Sequence, residues 1–172
     1  MSRERKLVAI DPGISHCGIA VFDLSSNELL RADWIQVQGR VSPGHKTLSL
    51  CREIVPYLLE AEAWDDSLSA AIELPEVYQT AGQKGRQSDI RDLAVVCGTL
   101  AYLFVDRGSK ISFYEPKQWK GQVPEIVMNK RIMSKLSTLE LGCIDIPKNK
   151  KNATDVKDAI GVGLYHLGRL RK

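Results

Sequence analysis

The sequence of 172 residues lacks the features that mark several classes of protein. No apolar run approaches the roughly 20 residues that a helix needs to cross a bilayer, and the basic start MSRERK is not followed by a signal-type apolar segment. The four cysteines are far apart and form no C-x-x-C pair, so zinc spacing is absent and reduced thiols are expected. No internal repeat or low-complexity tract is present. We therefore expect one intracellular domain, spanning 1–172, with no membrane contact.

The sequence does contain enough apolar residues for a core, and its charge is unevenly spread. Hydrophobic residues make up 44% and charged residues 26%, which is typical of a globular chain. The net charge of +3 combines −5 over 1–106 (10 Lys/Arg against 15 Asp/Glu) with +8 over 107–172 (14 against 6). A basic half suits a polyanion such as nucleic acid, although solvated surface lysines would give the same count.

Hydrophobic periodicity predicts an α/β fold. The strands are predicted at 6–10, 17–24, 29–38, 67–74 and 110–115. The helices are predicted at 48–59, 89–108, 125–141 and 153–172. Short turns join the first three strands into an antiparallel meander, and helices separate the later strands. Together they predict one five-stranded mixed sheet flanked by helices.

Four acids stand out by their context. Asp11 and Glu73 each end a predicted strand, and Asp155 and Asp158 lie three residues apart on one face of the last helix. If the two strands are parallel neighbours, their carboxyl ends bring Asp11 and Glu73 side by side. Converging carboxylates repel one another unless cations neutralise them, and hard oxygen ligands suit Mg²⁺ or Mn²⁺.

Each acid also has a purely structural interpretation. Asp11 begins an Asp-Pro-Gly turn, Glu73 could be a polar strand end, and the last two suit the start of a helix. Against this, Asp158 precedes AIGVGL, a small and apolar stretch expected to pack inward, where an acid without a partner is costly.

Three segments resemble RuvC-type Holliday junction resolvases, which belong to the RNase H-like superfamily. AIDPGISHCGIAV resembles their opening hairpin, AAIELPEVY their fourth strand with its catalytic Glu, and ATDVKDAIGVGLYH their closing helix. The resemblance covers nearly the whole chain in the right order. It implies an RNase H-like fold and a branched DNA substrate, the four-way junction.

The resemblance also implies the chemistry of the site. Asp11, Glu73, Asp155 and Asp158 would bind two Mg²⁺ ions per active site, with Mn²⁺ able to substitute and no small-molecule cofactor. Such ions activate a water and stabilise the leaving 3′ oxygen, so symmetric paired nicks would leave 5′-phosphate and 3′-hydroxyl ends.

The family carries important lysines after its fifth strand. By resemblance, Lys120 in QWK and Lys130 in MNK are candidates for catalysis and DNA binding, and Lys117 replaces one of them if the alignment slips. The alternative for each is a generic phosphate contact or a solvent-facing lysine.

The loop 75–88 departs from the family pattern. Its nearest aromatic to the preceding acid is Tyr78, which either stacks on an unpaired base or packs under its own loop. Lys84 and Arg86 of this loop are further DNA-binding candidates. This departure leaves sequence preference and strict four-way specificity open.

A two-fold symmetric junction calls for two symmetry-related active sites, so a C2 homodimer is expected. Helix 89–107 is apolar over more of its surface than one flanking helix needs, which makes it the candidate interface; burial against the sheet is the alternative. We expect a cytoplasmic protein of a bacterium or of a phage in its host cell, with an organelle left open.

Two other functions remain open. The same fold and metals could cut forks, flaps or other branched DNA. Nucleotide-binding proteins of the actin or sugar-kinase type begin with a similar hairpin, but they need two copies of the fold, and no G-x-x-x-x-G-K-[ST] motif is present.

Two histidines and two further acids near these motifs are assigned no catalytic role. His16 is interpreted as a turn residue and His166 as structural, although either could contact the site residues. Glu76 and Glu115 are interpreted as spare acids outside the metal site.

Overall fold

Five strands and six helices make up the described part of the chain, residues 5–37, 43–64, 68–75 and 87–170, in a computed structural model. The strands are β1 Lys6–Pro12, β2 His16–Asp23, β3 Leu29–Gln36, β4 Ser69–Glu73 and β5 Lys110–Tyr114. The helices are α1 Pro43–Glu60, α2 Gln87–Val105, α3 Pro116–Trp119, α4 Glu125–Met133, α5 Thr138–Leu141 and α6 Lys150–His166. In these ranges, no helix combines the length and the apolar character that a membrane span requires.

The strands form one mixed sheet in the order β3-β2-β1-β4-β5. β2 runs antiparallel to both β1 and β3, whereas β1, β4 and β5 are parallel to one another. The predicted sheet, a three-stranded meander extended by two parallel strands, is therefore confirmed.

Side-chain alternation along the strands divides the core between the two faces of the sheet. On one face, Val8 and Ile10 of β1 join buried residues of α1 and α2. On the other face, Leu7 and Ala9 join buried residues of α4 and α6. The second face is the one that carries the candidate site.

The predicted helix 125–141 is wrong in one respect, because two separate helices, α4 and α5, occupy this range. Ser137 has extended backbone angles (φ −70°, ψ 166°) and caps α5. Its hydroxyl accepts the amide of Glu140 (3.3 Å), and the Glu140 carboxylate accepts the amide of Ser137 (2.8 Å). This capping box starts a new helix and cannot lie inside one.

A further helical turn, α3, follows β5 directly, where no helix was predicted. Pro116 occupies the first turn of α3, where a missing amide hydrogen costs nothing. The closing helix is shifted as well. It begins at Lys150 and ends at His166, and Gly168 follows with φ +71°.

Glu140 ties three segments together on the α6 side of the sheet. Its carboxylate is 4% exposed and accepts two hydrogen bonds from Arg169 (2.6 and 3.0 Å) and one from the amide of Leu29 (2.9 Å). Burial alone would raise the pKa of Glu140, but the hydrogen bonds from Arg169, Ser137 and Leu29 outweigh it and lower the pKa to about 2.

We predict that Glu140→Gln lowers the free energy of unfolding by about 3 kcal/mol at neutral pH, because Arg169 loses a buried charged partner. The folded pKa of Glu140 lies below its ordinary value of 4.5. Its stabilising effect is therefore complete above that value and disappears as the pH falls toward about 2.

Urea denaturation of both proteins from neutral pH to pH about 2 measures this effect. The two stability curves should converge in acid, and Glu28→Gln, which changes an exposed carboxylate, should follow the wild type. A constant gap at every pH would contradict the assignment.

Candidate active site

The sheet places Asp11 and Glu73 next to each other. Ile10 pairs with Ile72 in the parallel register of β1 and β4, so the following residues, Asp11 and Glu73, occupy neighbouring positions at the carboxyl ends of the two strands. By the period of two, Asp11 shares a face with Ala9, which packs in the α6 core. Both acids therefore project toward α6.

Helix α6 supplies the other two acids, and Gly18 allows it to lie close enough to do so. Gly18 pairs directly with Asp11 across β1 and β2. A Cβ atom on Gly18 would clash with the backbone carbonyl group of Asp155 and lie 2.8 Å from the amide nitrogen of Val156. The α6 backbone thus rests on β2 beside Asp11, which brings Asp155 and Asp158 to the ends of the strands.

Two residues at the end of α3 bind the carboxylates. The Lys120 ammonium donates to Oδ2 of Asp158 (2.7 Å) and lies 3.7 Å from Oε1 of Glu73. The Trp119 indole N–H donates to Oε2 of Glu73 (2.7 Å), and the Trp119 side chain is 1% exposed. Glu73 and Asp158 are therefore held in fixed orientations from the same short helix.

The carboxylates raise one another's pKa values. Burial, and then the negative charges of Glu73, Asp158 and Asp155, hold the pKa of Asp11 well above its ordinary value. Burial raises the pKa of Glu73 to about 7, with Lys120 opposing the rise and Asp158 adding to it. Burial also raises the pKa of Asp158, against the lowering effect of Lys120. Burial and mutual repulsion therefore disfavour the charged forms of Asp11, Glu73 and Asp158, and nearby positive charge opposes this effect.

His16 also contacts the cluster. Its Nε2 lies 3.3 Å from Oδ2 of Asp155, and its ring centroid lies 5.7 Å from that of Trp34. His16 is the first residue of β2 and its carbonyl also closes the preceding turn, so it is both a turn residue and a neighbour of the site.

Sequence reasoning missed Trp119, although QWK places it beside a lysine that was singled out. It left a contact of His16 with the site open, and the strand period favours that contact, because His16 shares a face of β2 with Gly18.

The donor set fits a hard divalent cation. Asp11, Glu73, Asp155 and Asp158 offer only carboxylate oxygens, which Mg²⁺ and Mn²⁺ prefer. Across the described ranges, no three Asp, Glu, His or Cys side chains form a ready-made metal cage. The positive charge among the carboxylates is the ammonium of Lys120, whose own pKa is raised because Glu73 and Asp158 outweigh the effect of burial.

Lys120 is the predicted lysine that the structure brings to the acids. Lys117 instead pairs with Glu115 (2.6 Å) at the surface. Lys130 lies on α4 and lines a groove of about 640 Å³ between α4 and α6, together with Lys157.

The remaining predicted residues divide into two groups. His166 shares a hydrogen bond with the hydroxyl of Tyr114 (2.9 Å), which is consistent with a structural role. Four others lie outside the described residues, namely Tyr78, Lys84, Arg86 and Glu76.

Known proteins resemble this chain over most of its length, although no protein-family model matches it. A curated relative, the crossover junction endodeoxyribonuclease RuvC of Saccharopolyspora erythraea, is 26% identical over 167 residues, which cover 95% of this chain and 77% of the relative.

Two solved structures share the fold. T. thermophilus RuvC in complex with a Holliday junction substrate aligns with a TM-score of 0.68 at 16% identity, over 97% of this chain and 98% of that one. The yeast mitochondrial Holliday junction resolvase Ydc2 aligns with a TM-score of 0.53 at 12% identity, over 96% and 80%. The resemblance to RuvC-type resolvases and the RNase H-like fold are thereby confirmed.

We predict that Gly18→Ala destabilises the fold by about 2 kcal/mol or more, because the added methyl group must push α6 away from β2. Gly18→Val should cost more than Gly18→Ala, since its side chain is larger. Urea denaturation of the three proteins checks this order. Wild-type stability in both variants would show that α6 does not rest on β2 at this position.

Proposed function

We propose that this chain is a metal-dependent endonuclease that resolves four-way DNA junctions. The observation that carries the proposal is the cluster of four carboxylates, from β1, β4 and α6, in a chain that aligns with a RuvC over 95% of its length. The RNase H-like fold and the preference of carboxylates for hard cations support the same reaction.

Asp11, Glu73, Asp155 and Asp158 would hold two Mg²⁺ ions, with Mn²⁺ as a substitute. When bound, such ions supply an activated water and neutralise the leaving 3′ oxygen of a phosphodiester, which gives 5′-phosphate and 3′-hydroxyl ends.

The residues around the acids have separate roles in this proposal. Trp119 fixes the orientation of Glu73 through its 2.7 Å hydrogen bond. Lys120, held at Asp158, keeps a permanent positive charge at the point where a phosphate would enter.

The groove between α4 and α6 is the proposed path of a DNA strand leaving the site. Lys130 and Lys157 line it, and Lys157 lies one residue from Asp158 on α6. Two lysines lining one groove suit consecutive phosphates of one strand. Lys117 at the nearby surface is a further candidate contact, and Tyr78, Lys84 and Arg86 remain candidates in the loop 75–88.

A C2 homodimer would place two such sites on a two-fold symmetric junction. The α2 helix supports this, because one side of it packs on the sheet through Val96, Leu100 and Phe104. Its other side leaves Tyr102 and Val105 70% and 58% exposed. Packing against the sheet therefore leaves part of the apolar surface of α2 exposed. We propose a cytoplasmic location for this role in DNA processing, with an organelle as the alternative.

We predict that Asp158→Asn reduces cleavage of a labelled mobile four-way junction by at least about 100-fold while junction binding is kept, because one ligand oxygen loses its charge. Wild type and variant are incubated with the junction, a fork and a linear duplex, in Mg²⁺ and then in EDTA. Asp145→Asn, which changes an exposed acid, is the matched control.

Paired nicks in the junction that require Mg²⁺ support the proposal. Cleavage of the fork alone would favour the branched-DNA alternative. Normal cleavage by Asp158→Asn would reject the metal assignment.

We predict that Tyr102→Lys converts the homodimer into a monomer, because it places a charge on the exposed face of α2. Sedimentation at micromolar concentration checks the oligomeric state. Leu139→Lys changes an apolar residue that is 84% exposed on α5 and should leave the dimer intact. A wild-type protein that is monomeric throughout this range would reject the α2 interface.

A further inference from the structure

The imidazole of His16 is enclosed on three sides. Its Nε2 lies 3.3 Å from Oδ2 of Asp155, and Trp34 packs beside the ring at 5.7 Å between centroids. On the third side, the ring lies against Gly13. If Gly13 carried a Cβ atom, that atom would lie only 3.1 Å from both Cδ2 and Nε2 of the ring. The turn itself is closed by the Gly13 amide, which donates to the His16 carbonyl (2.8 Å). This packing limits the movement of the ring.

β2 controls both the backbone and the side chain of Asp155. His16 and Gly18 lie two residues apart on one face of β2, and both contact Asp155. Gly18 lets the Asp155 carbonyl approach the strand, while His16 meets its carboxylate. The hairpin that carries Asp11 therefore also sets the position of Asp155.

Three carboxylates of the cluster each have a different nitrogen neighbour. Glu73 accepts from the indole of Trp119, and Asp158 accepts from the ammonium of Lys120. For Asp155 the nitrogen is Nε2 of His16. Groups that hydrogen-bond to metal ligands fix the orientation of those ligands, and losing one typically weakens metal binding by about 10- to 100-fold.

We infer that His16 is a positioning residue that holds the Asp155 carboxylate in the orientation needed for a divalent cation. Nε2 faces Oδ2 of Asp155 at ion-pair distance (3.3 Å), and Gly13 and Trp34 pack against the ring. The inference rests on the proposed function, because it takes Asp155 to be a metal ligand.

The test measures metal binding in the absence of DNA. Mn²⁺ is titrated calorimetrically into the full chain, as wild type and as His16→Ala, His16→Gln, Asp155→Asn and the double variant His16→Ala/Asp155→Asn. We expect His16→Ala to weaken Mn²⁺ binding about tenfold. His16→Gln should restore most of the affinity, because its amide can donate from a similar distance.

The double variant tests whether His16 affects Mn²⁺ binding through Asp155. If His16 acts through Asp155, the change His16→Ala costs no further affinity once Asp155 is Asn. An equal loss in both backgrounds would overturn the inference, since His16 would then act independently of Asp155. Wild-type affinity in His16→Ala would overturn it as well.

Two controls distinguish a specific role of His16 in Mn²⁺ binding from a general effect of histidine removal or a loss of fold. His45→Ala changes a histidine on the exposed side of α1 and should bind Mn²⁺ as the wild type does. Melting curves in EDTA report any loss of fold, and if His16→Ala is destabilised, His16→Asn takes its place in the cycle. Loss of binding in Asp158→Asn with none in His16→Ala would reject the role of His16 alone. A wild type that binds no Mn²⁺ would reject the proposed function together with it.

Discussion

The mutual repulsion of buried carboxylates at one end of the sheet is the constraint on which the rest of the site depends. Asp11 and Glu73 are brought together by the parallel register of β1 and β4, and α6 adds Asp158. Burial and repulsion raise the pKa values of all three. A fold gains no stability from such an arrangement, because each charge lowers the stability of the others in the folded state. The neighbouring residues are therefore best understood by how they supply positive charge or hydrogen bonds to these oxygens.

The four acids can come together because α6 lies close to the sheet. Glycine residues allow this close approach. The backbone of Asp155 packs against Gly18, the ring of Trp119 packs against Gly161, and the ring of Phe22 packs against Gly163. The two rings are buried in the same core as α6, so the helix is fixed along its length and not only at the acids. Because packed interiors leave little free volume, a single added methyl group at these positions shifts the helix that carries two of the four acids.

Much of this arrangement could be predicted from the sequence, because it depends on short-range patterns. Short apolar runs that stop at an acid and a turn signal placed Asp11 and Glu73 at strand ends, and the spacing of three placed Asp155 and Asp158 on one helical face. The contact of Trp119 with Glu73 joins residues 46 positions apart, and no local pattern predicts which side chain fills that space. The break before α5 was present in the sequence as Ser137 and Glu140, a capping box that the surrounding helical pattern outweighed.

The different donors around the acids give those acids different chemistry. Glu73 is held by a neutral indole, so its negative charge is oriented without being neutralised by that bond. Asp158 is paired with an ammonium at 2.7 Å, and any cation bound by Asp158 must share it with Lys120 or displace Lys120. On the proposed function, cation binding at this cluster would be an exchange of partners. The freed ammonium would stay close, since Lys120 also lies 3.7 Å from Glu73 and directly follows the buried Trp119. On the proposed function, Asp158 and Glu73 would hold the cation, and Lys120 would lie close enough to offer its charge to a substrate phosphate.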